Sequence, residues 1–218
     1  MFTGIVEDIG QVSRVRHRAE GLRLEITTRL PLESLPPGCS VAVDGVCLTV
    51  CAHAKGAFAA DVGHETARVT TLGRARAGGR VHLERALVFG GRLDGHLVTG
   101  HVDGVGEVLE RSVRGSGVDL VLRAPEAVRP FLVEKGSVAV DGVSLTVNAP
   151  SADAFRVALV PHTLEKTRLG ELRPGEGINL EADLIGKYVR HFVAPAGQGV
   201  DEDFLAEHGF LGPGGRSR

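Results

Sequence analysis

The chain has 218 residues, of which 43% are hydrophobic and 24% charged, and its formal net charge is -2. This composition is close to that of an average globular protein, so it excludes a disordered or fibrous chain. The small negative charge also excludes a general attraction to phosphate backbones or anionic membranes, which leaves small molecules as the expected partners.

Short runs rich in Val, Ile, Leu and Thr follow one another along the chain, separated by Gly, Pro and Asp. Their alternation of apolar and polar residues predicts antiparallel strands with one buried face. The predicted strands of the first half lie at 22–28, 40–50, 57–62 and 80–87, and those of the second half at 118–124, 137–147, 155–160 and 177–184. Near the C-terminus, acidic residues from Asp201 and a stop at Gly209 predict a short helix, followed by a disordered tail from 212.

The sequence contains an internal repeat. "SVAVDGVCLTV" at 40–50 returns as "SVAVDGVSLTV" at 137–147, and the pair Leu83–Glu84 returns as Leu180–Glu181. A period of nearly 100 residues is too long for a solenoid and indicates a duplicated domain. We therefore predict an all-β fold of two small tandem barrels, with domains at 1–95 and 96–193 and a C-terminal helix and tail at 194–218.

The repeated stretch places small polar side chains together. If it is a strand, Cys47 and Thr49 share one face in the first copy, and Ser144 and Thr146 share it in the second. Simple exposure to solvent would explain either pair alone. The repetition favours two similar pockets for small polar molecules.

Several kinds of site are disfavoured by spacing. The Gly-rich stretches lack the βαβ context of a dinucleotide-binding motif, and no GxSxG motif is present. His96 and His101 would project to opposite faces of an extended segment, which makes them a poor pair of metal ligands, although each could shuttle protons.

The three cysteines and the N-terminus bear on the cellular location. The cysteines are odd in number and lack CxxC spacing, so we expect reduced thiols. No apolar run approaches the roughly 18 residues of a membrane span, and the N-terminus lacks the features of a signal peptide. These observations predict a cytoplasmic protein.

Six motifs in order resemble the riboflavin synthase family: "MFTGIV", "DGVCLTV", "GGRLDGHLVTGHVDG", "KGSVAVDGVSLTV", "PHTLEKT" and "NLEADLIGKYV". The resemblance runs from Met1 to about Phe192. It implies Greek-key barrels and the dismutation of two molecules of 6,7-dimethyl-8-ribityllumazine to riboflavin and 5-amino-6-ribitylamino-uracil, the last step of riboflavin biosynthesis. It also implies a homotrimer in which the N-barrel of one subunit faces the C-barrel of another, no redox cofactor or metal, and possible association with a lumazine synthase.

The resemblance also implies which residues bind the substrate. In the first barrel these are Gly4, Ile5, Val6, Cys47, Leu48, Thr49, Asp61, Val62, Gly63, His64, Glu65 and Thr66. In the second barrel they are Gly100, His101, Val102, Lys135, Ser144, Leu145, Thr146, Ala158, Leu159, Val160, Pro161, His162 and Thr163, with Asp183. The candidates for contacts with the ribityl hydroxyls are Thr49, Asp61, Thr66, Thr146, Thr163 and Asp183.

Catalytic roles follow from the same resemblance. His101 is the first choice for moving protons, with His96 behind it, and Ser144 and Cys47 orient or activate the nucleophile. Phe2 and Thr3 close the site.

The sequence departs from the family pattern in one loop. Gly63 and His64 stand where the pattern has Met-Pro, and Ala67 replaces the usual leucine. Because glycine has greater conformational freedom, Gly63 is expected to loosen this loop.

Two rival functions are considered. A non-catalytic ligand-binding protein similar to lumazine protein would share the barrels, but one of its pockets would be degenerate, whereas both polar pairs are present here. A flavin-binding barrel of a reductase would need a nicotinamide domain, for which no residues remain.

Overall fold

In the computed structural model, which describes residues 1–193, each half of the chain contains six strands. The first half has β1 (Asp8–Arg18), β2 (Gly21–Thr27), β3 (Ser40–Val43), β4 (Val46–Ala54), β5 (Ala57–Gly63) and β6 (Arg80–Arg85). The second half has β7 (Gly104–Arg114), β8 (Gly117–Arg123), β9 (Ser137–Val140), β10 (Val143–Thr146), β11 (Ala154–Leu159) and β12 (Gly177–Ala182). The helices are α1 (His64–Val69), α2 (Pro161–Lys166) and α3 (Leu184–Val193).

The two halves share one topology. The first half closes as a barrel in the order β1-β2-β5-β4-β3-β6, and the second has the same cyclic order, opened between β10 and β11. The opening follows from the end of β10, where Ala149 has a positive φ and Pro150 has no N–H to donate. A single bridge between Asn148 and Arg156 joins the two edges. The prediction of two all-β barrel units is confirmed.

The alternation in the repeated stretch produces the expected faces. Val46, Leu48 and Val50 point into the first core, while Cys47 is half-buried and Thr49 exposed. The intervening Asp44–Gly45 turn has φ of 45° and 78°, and Asp141–Gly142 repeats it with 45° and 79°. Two consecutive positive φ angles match the twist of a tight hairpin, which is why Asp-Gly occurs there twice.

The structure adds elements that the sequence patterns did not reveal. β1 and β7 are the longest strands, at 11 residues each, but their second halves are exposed and charged, so their apolar alternation is lost. The helices α1 and α2 have only six residues each and are too short to show a helical period.

A buried polar network joins the two halves. Asp44 accepts a hydrogen bond from the backbone N–H of His82, and the repeat-related Asp141 accepts one from Asn179. The guanidinium of Arg168 lies 3.2 Å from the Asp44 carboxylate and 2.7 Å from that of Asp141. Burial raises the pKa of Asp141 to about 7, and Arg168 opposes this rise. The cation therefore holds two carboxylates that would otherwise repel each other.

His82 has a defined protonation state in this network. Its Nδ1 donates to the carbonyl oxygen of Asp141, because a carbonyl can only accept, and its Nε2 accepts from the backbone N–H of Arg168. Burial lowers the pKa of His82, in agreement with a neutral ring. Asn179 occupies the equivalent position in the other half, with its Nδ2 donating to the carbonyl of Asp44 and its Oδ1 accepting from Thr71 N–H.

The chain forms two compact units, of which Met1–Leu184 contains both barrels and the second begins at Ile185. Along α3, one stripe of exposed apolar side chains consists of Ile185, Tyr188, Val189, Phe192 and Val193. The predicted helix at 201–209 and the tail lie outside the described residues. Among residues 1–193, no helix is long and apolar enough to cross a membrane.

Candidate functional site

The segment that precedes the first strand of each half, 2–6 and 98–102, is called here a leading segment. Phe2 and Val98 pair with each other in an antiparallel bridge, so the two leading segments start side by side at the centre of the molecule. From this point each runs into the opposite half. Val6 packs against the core of the second half, and Val102 packs against the core of the first.

This exchange builds two composite sites. The carbonyl oxygen of Gly100 accepts a 2.9 Å hydrogen bond from the N–H of Cys47, and that of Gly4 accepts a 2.8 Å bond from Ser144. Both glycines have positive φ, and a Cβ on either would lie within 2.6 Å of the Cβ of its partner. Only glycine fits so close an approach. The expected grouping of Gly4–Val6 with Cys47, and of Gly100–Val102 with Ser144, is therefore reversed.

The first site is the outward face of β4, completed by the leading segment that carries His101. Cys47 and Thr49 lie on this face, and His101 is exposed beside it because the adjacent Gly100 bonds to Cys47. Asp61 lies next to this face. One of its carboxylate oxygens is 3.4 Å from the Sγ of Cys51, which follows Thr49 on β4.

Asp61 also has a cation as partner. Arg23 forms two 2.6 Å hydrogen bonds with its carboxylate, which lowers the pKa of Asp61. The carboxylate is thereby fixed in orientation and stays ionised near neutral pH. It can accept hydrogen bonds from a polyol on the face that Arg23 leaves free.

The second site is the outward face of β10, with Ser144, Thr146 and the leading segment that carries Ile5. Lys135 approaches it through Asn148, which accepts a 2.5 Å hydrogen bond from the lysine Nζ and donates to the carbonyl of Thr146. In the repeat, Asn148 of the second site corresponds to Cys51 of the first, and Ala158 corresponds to Asp61. The two sites thus share a framework but differ in charge.

His96 and Ser144 form a pair in the second site. The Nδ1 of His96 lies 2.7 Å from the Ser144 hydroxyl oxygen, and the backbone N–H of His96 donates to the carbonyl of Thr3. Burial lowers the pKa of His96, and Asp183 partly opposes this. Its Nε2 is buried and has no partner among the described residues. A neutral imidazole with one nitrogen on a serine hydroxyl can accept or return a proton there.

Two clefts border these faces. A cleft of about 610 Å³ is lined by Thr3, Ile5, Ser40 and Glu84 together with the loop at 85–94. A second, of about 420 Å³, lies at the turn between β1 and β2 and includes Asp61, Val62 and Gly63. The His64 Nε2 donates a 2.6 Å hydrogen bond to the carbonyl of Ala19 in that turn, which ties the start of α1 to it.

Some predicted site residues lie in other surroundings. Phe2 is fully buried, and its ring lies beneath Gly100, so it supports a leading segment rather than facing solvent. Four others have side chains in the cores and can offer a ligand only their backbone groups: Leu48, Val62, Leu145 and Leu159. The residues Val160–Thr163 form the start of α2, and Gly63 to Thr66 the start of α1.

The backbone conformation of Gly63 is not one that requires glycine. It has φ of -66° and ψ of 163°, an extended conformation open to any residue. The expectation that the conformational freedom of Gly63 loosens this loop stays a prediction, because backbone angles do not measure mobility.

Two buried carboxylates near the sites were missed by the sequence reasoning. Glu84 accepts hydrogen bonds from Thr3 N–H and Oγ1 and from Gly4 N–H, and Glu181 accepts the same three from Thr99 and Gly100. Burial raises the pKa of Glu84, and the bonds from Thr3 and Gly4 oppose this. The sequence does contain one signal, since each glutamate follows a leucine at the same place in the repeat, as Leu83–Glu84 and Leu180–Glu181.

Comparison with known proteins adds to this geometry. The lumazine binding domain family matches the chain at residues 3–86 and 99–183. Riboflavin synthase of Brucella abortus (strain 2308) is 46% identical over 193 residues, which cover 86% of this chain and 96% of that protein. Riboflavin synthase of Bacillus subtilis (strain 168) is 38% identical over 215 residues, or 96% and 100% of the two chains. The crystal structure of LumP complexed with riboflavin superposes with a TM-score of 0.77 at 25% identity, covering 84% of this chain and 99% of that one.

Proposed function

The chain belongs to the riboflavin synthase family, and from this we propose that it converts two molecules of 6,7-dimethyl-8-ribityllumazine into riboflavin and 5-amino-6-ribitylamino-uracil. In this dismutation one substrate donates a four-carbon unit to the other. The observation that carries the proposal is the pair of composite sites, each built from a polar strand face of one half and the leading segment of the other. Two like substrates fit two like sites.

We place one substrate at each site. At the first, Thr49, Asp61 and Thr66 supply donors and acceptors for the ribityl hydroxyls, and at the second, Thr146, Thr163 and Asp183 do so. We propose domain boundaries at 1–95 and 96–193 for the two copies of the repeat, and the family matches at 3–86 and 99–183 support this division. Each substrate site nevertheless contains residues of both domains.

The reaction needs proximity and proton transfer. One lumazine loses a proton from its C7 methyl group, and the resulting carbanion forms a carbon–carbon bond with the other lumazine. The two carbon–nitrogen bonds of the donated four-carbon unit break, and the nitrogens take up protons to give the pyrimidine. A nucleophile that adds to open the donor ring leaves again, because two substrates contain the same atoms as the two products. Holding the two rings together contributes most to the acceleration, because a bimolecular encounter becomes an internal step. His101 at the first site and the His96–Ser144 pair at the second are the groups placed to move protons.

We propose that the catalytic centre forms between subunits of a homotrimer, with the first site of one chain facing the second site of another. The apolar stripe of α3 supports self-association, because such a face on a surface helix usually covers another apolar surface. The three cysteines are unpaired, which supports a reducing compartment such as the cytoplasm. Association with a lumazine synthase stays a prediction.

The function is tested by mixing the purified protein anaerobically with 6,7-dimethyl-8-ribityllumazine and no cofactor, and by quantifying both products by chromatography. Equal amounts of riboflavin and the pyrimidine support dismutation. Binding of the lumazine, shown by a fluorescence change, without either product would instead favour a non-catalytic lumazine-binding protein.

A further inference from the structure

The two buried glutamates have no role in the function described so far. Glu84 on β6 and Glu181 on β12 are 6% and 3% exposed, and each accepts three hydrogen bonds. A carboxylate buried in an apolar strand is costly unless its acceptors are satisfied. The three hydrogen bonds that each carboxylate accepts come from the leading segment that precedes its own half, which ties that segment to the strand.

From Glu181 a chain of hydrogen bonds leads directly to the first site. Its Oε1 accepts from Thr99 N–H and Oγ1 at 2.7 Å each, and its Oε2 accepts from Gly100 N–H at 2.9 Å. Thr99 Oγ1 accepts in turn from His101 N–H at 3.1 Å, and the Gly100 carbonyl accepts from Cys47 N–H. One carboxylate is thus linked by hydrogen bonds to the backbone N–H groups of both His101 and Cys47.

Glu84 does the same for the second site. It binds Thr3 and Gly4 through the repeat-related atoms, Thr3 Oγ1 accepts from Ile5 N–H at 3.3 Å, and the Gly4 carbonyl accepts from Ser144 N–H at 2.8 Å. Each glutamate therefore lies in one half of the repeat, while the segment that it holds completes the site of the other half.

We propose that Glu84 and Glu181 are positioning residues of the reaction, each fixing the leading segment that completes the site in the opposite half. The proposal rests on the proposed function for its catalytic part. Reactive groups must be held within a fraction of an ångström, so a loosened segment lowers turnover even when the protein stays folded. Because substrate binding also draws on the rest of each site, the loss falls on kcat more than on KM.

The test uses Glu181→Gln and Glu84→Gln, with Asp8→Asn as the matched control. Glutamine keeps the oxygen that accepts from threonine but presents an N–H₂ group to the glycine N–H, so one bond of each set becomes a repulsion. Asp8 is also a buried carboxylate with several donors, and these donors, on Thr28 and Arg29, lie outside both leading segments. We expect kcat to fall about ten- to a hundredfold in both glutamine variants with KM changed less than about threefold, and no such fall in the control. A kcat equal to that of the control would overturn the proposal.

A double variant separates positioning from general destabilisation. If Glu181 acts through His101, Glu181→Gln lowers kcat much less in a His101→Ala background than in the wild type, because residues that act as one unit are not additive. Thr99→Ser keeps the linking hydroxyl and should retain activity, whereas Thr99→Val removes it and should behave like Glu181→Gln. Full additivity with His101→Ala would contradict the proposal.

Amide hydrogen exchange gives a readout that does not depend on activity. In Glu181→Gln the amides of His101 and Cys47 should exchange faster while those of Ile5 and Ser144 keep their rates, and in Glu84→Gln the pattern should reverse. Unchanged exchange at all four amides would overturn the proposal. If the wild-type protein forms no riboflavin but the two glutamine variants show these opposite exchange patterns, the proposed function is refuted and the glutamates still position the leading segments.

Discussion

The carbonyl oxygen of Gly100 accepts a hydrogen bond from the backbone N–H of Cys47, although the two residues belong to different halves of the repeat. The same bond joins Gly4 to Ser144. The duplication therefore does not give two independent binding modules, because each site needs a segment of both copies.

The Gly100 contact predicts a large effect of a single methyl group. In Gly100→Ala the new Cβ would lie 2.5 Å from the Cβ of Cys47 at a φ of +82°. We expect unfolding free energy to fall by about 2 to 4 kcal/mol, from the left-handed backbone and from overpacking together, with loss of turnover. Denaturant unfolding measures this. Gly56→Ala is the matched control, because Gly56 has a φ of +68° with open space around it and should lose only about 1 to 2 kcal/mol.

The His96–Ser144 pair predicts a non-additive pair of variants. Each of His96→Ala and Ser144→Ala should lower kcat by about ten- to a hundredfold, because each removes one end of the same 2.7 Å contact. The double variant should lose little more than either single one. Steady-state kinetics gives kcat for the three variants. If the loss of kcat in the double variant equals the product of the two single losses, the two groups do not work as a pair.

The neutral state of His82 predicts a pH dependence of stability. Its pKa is lowered by burial, so below about pH 6.5 the unfolded chain binds a proton that the folded chain does not. This contribution to stability is complete above that pH and is lost as the pH falls, by at most about 1.4 kcal/mol per pH unit.

His82→Asn should remove that part of the pH dependence, because the repeat-related Asn179 makes the equivalent hydrogen bonds without titrating. Unfolding free energies of the variant and the wild type are compared between pH 5 and pH 8. His17→Asn, at an exposed position outside the buried polar network, is the matched control. The wild-type slope in His82→Asn would contradict the assigned tautomer and burial effect.

The backbone of Gly63 predicts a stabilising substitution. Its φ of -66° suits any residue, and a Cβ there meets nothing within 4 Å. Gly63→Ala should raise the unfolding free energy by about 0.4 to 1 kcal/mol, chiefly by restricting the unfolded chain. Gly38→Ala has equal space but a φ of +94°, so it should destabilise. Thermal unfolding of both variants checks the contrast.

The apolar stripe of α3 predicts the oligomeric state. Phe192 is 78% exposed and stacks on Tyr188, so Phe192→Asp should place a charge in the surface that we propose as a subunit contact of the trimer. We expect sedimentation equilibrium to show a trimer for the wild type and smaller species for the variant. A trimeric Phe192→Asp protein would place the contact elsewhere.

Much of the architecture could be predicted because it depends on local patterns. The alternation around Cys47 and Ser144 gave the strand faces, and the Asp-Gly pairs gave the turns, since both depend on neighbours in the chain. The repeat then gave the two barrel units. The exposed halves of β1 and β7 lack this local signal, because pairing with β2 and β8 rather than burial makes them strands.

The exchange of leading segments could not be predicted in the same way. Nothing near Gly4 in the sequence indicates that it contacts Ser144, which lies 140 residues further on. The repeat itself suggested the opposite arrangement, in which each segment serves its own copy. The repeated Glu84 and Glu181 were a usable signal, because a charge that occurs at the same place in both copies is buried in both and needs a partner there.

Whether one reaction needs both sites can be decided from the rate of riboflavin formation by variants in which one site is closed. Thr49→Trp fills the first site and Thr146→Trp the second, since both threonines are exposed on their strand faces. We expect each variant to bind lumazine at its open site but to form no riboflavin. Turnover near the wild-type rate in either variant would show that a single site suffices, and would contradict the two-site mechanism.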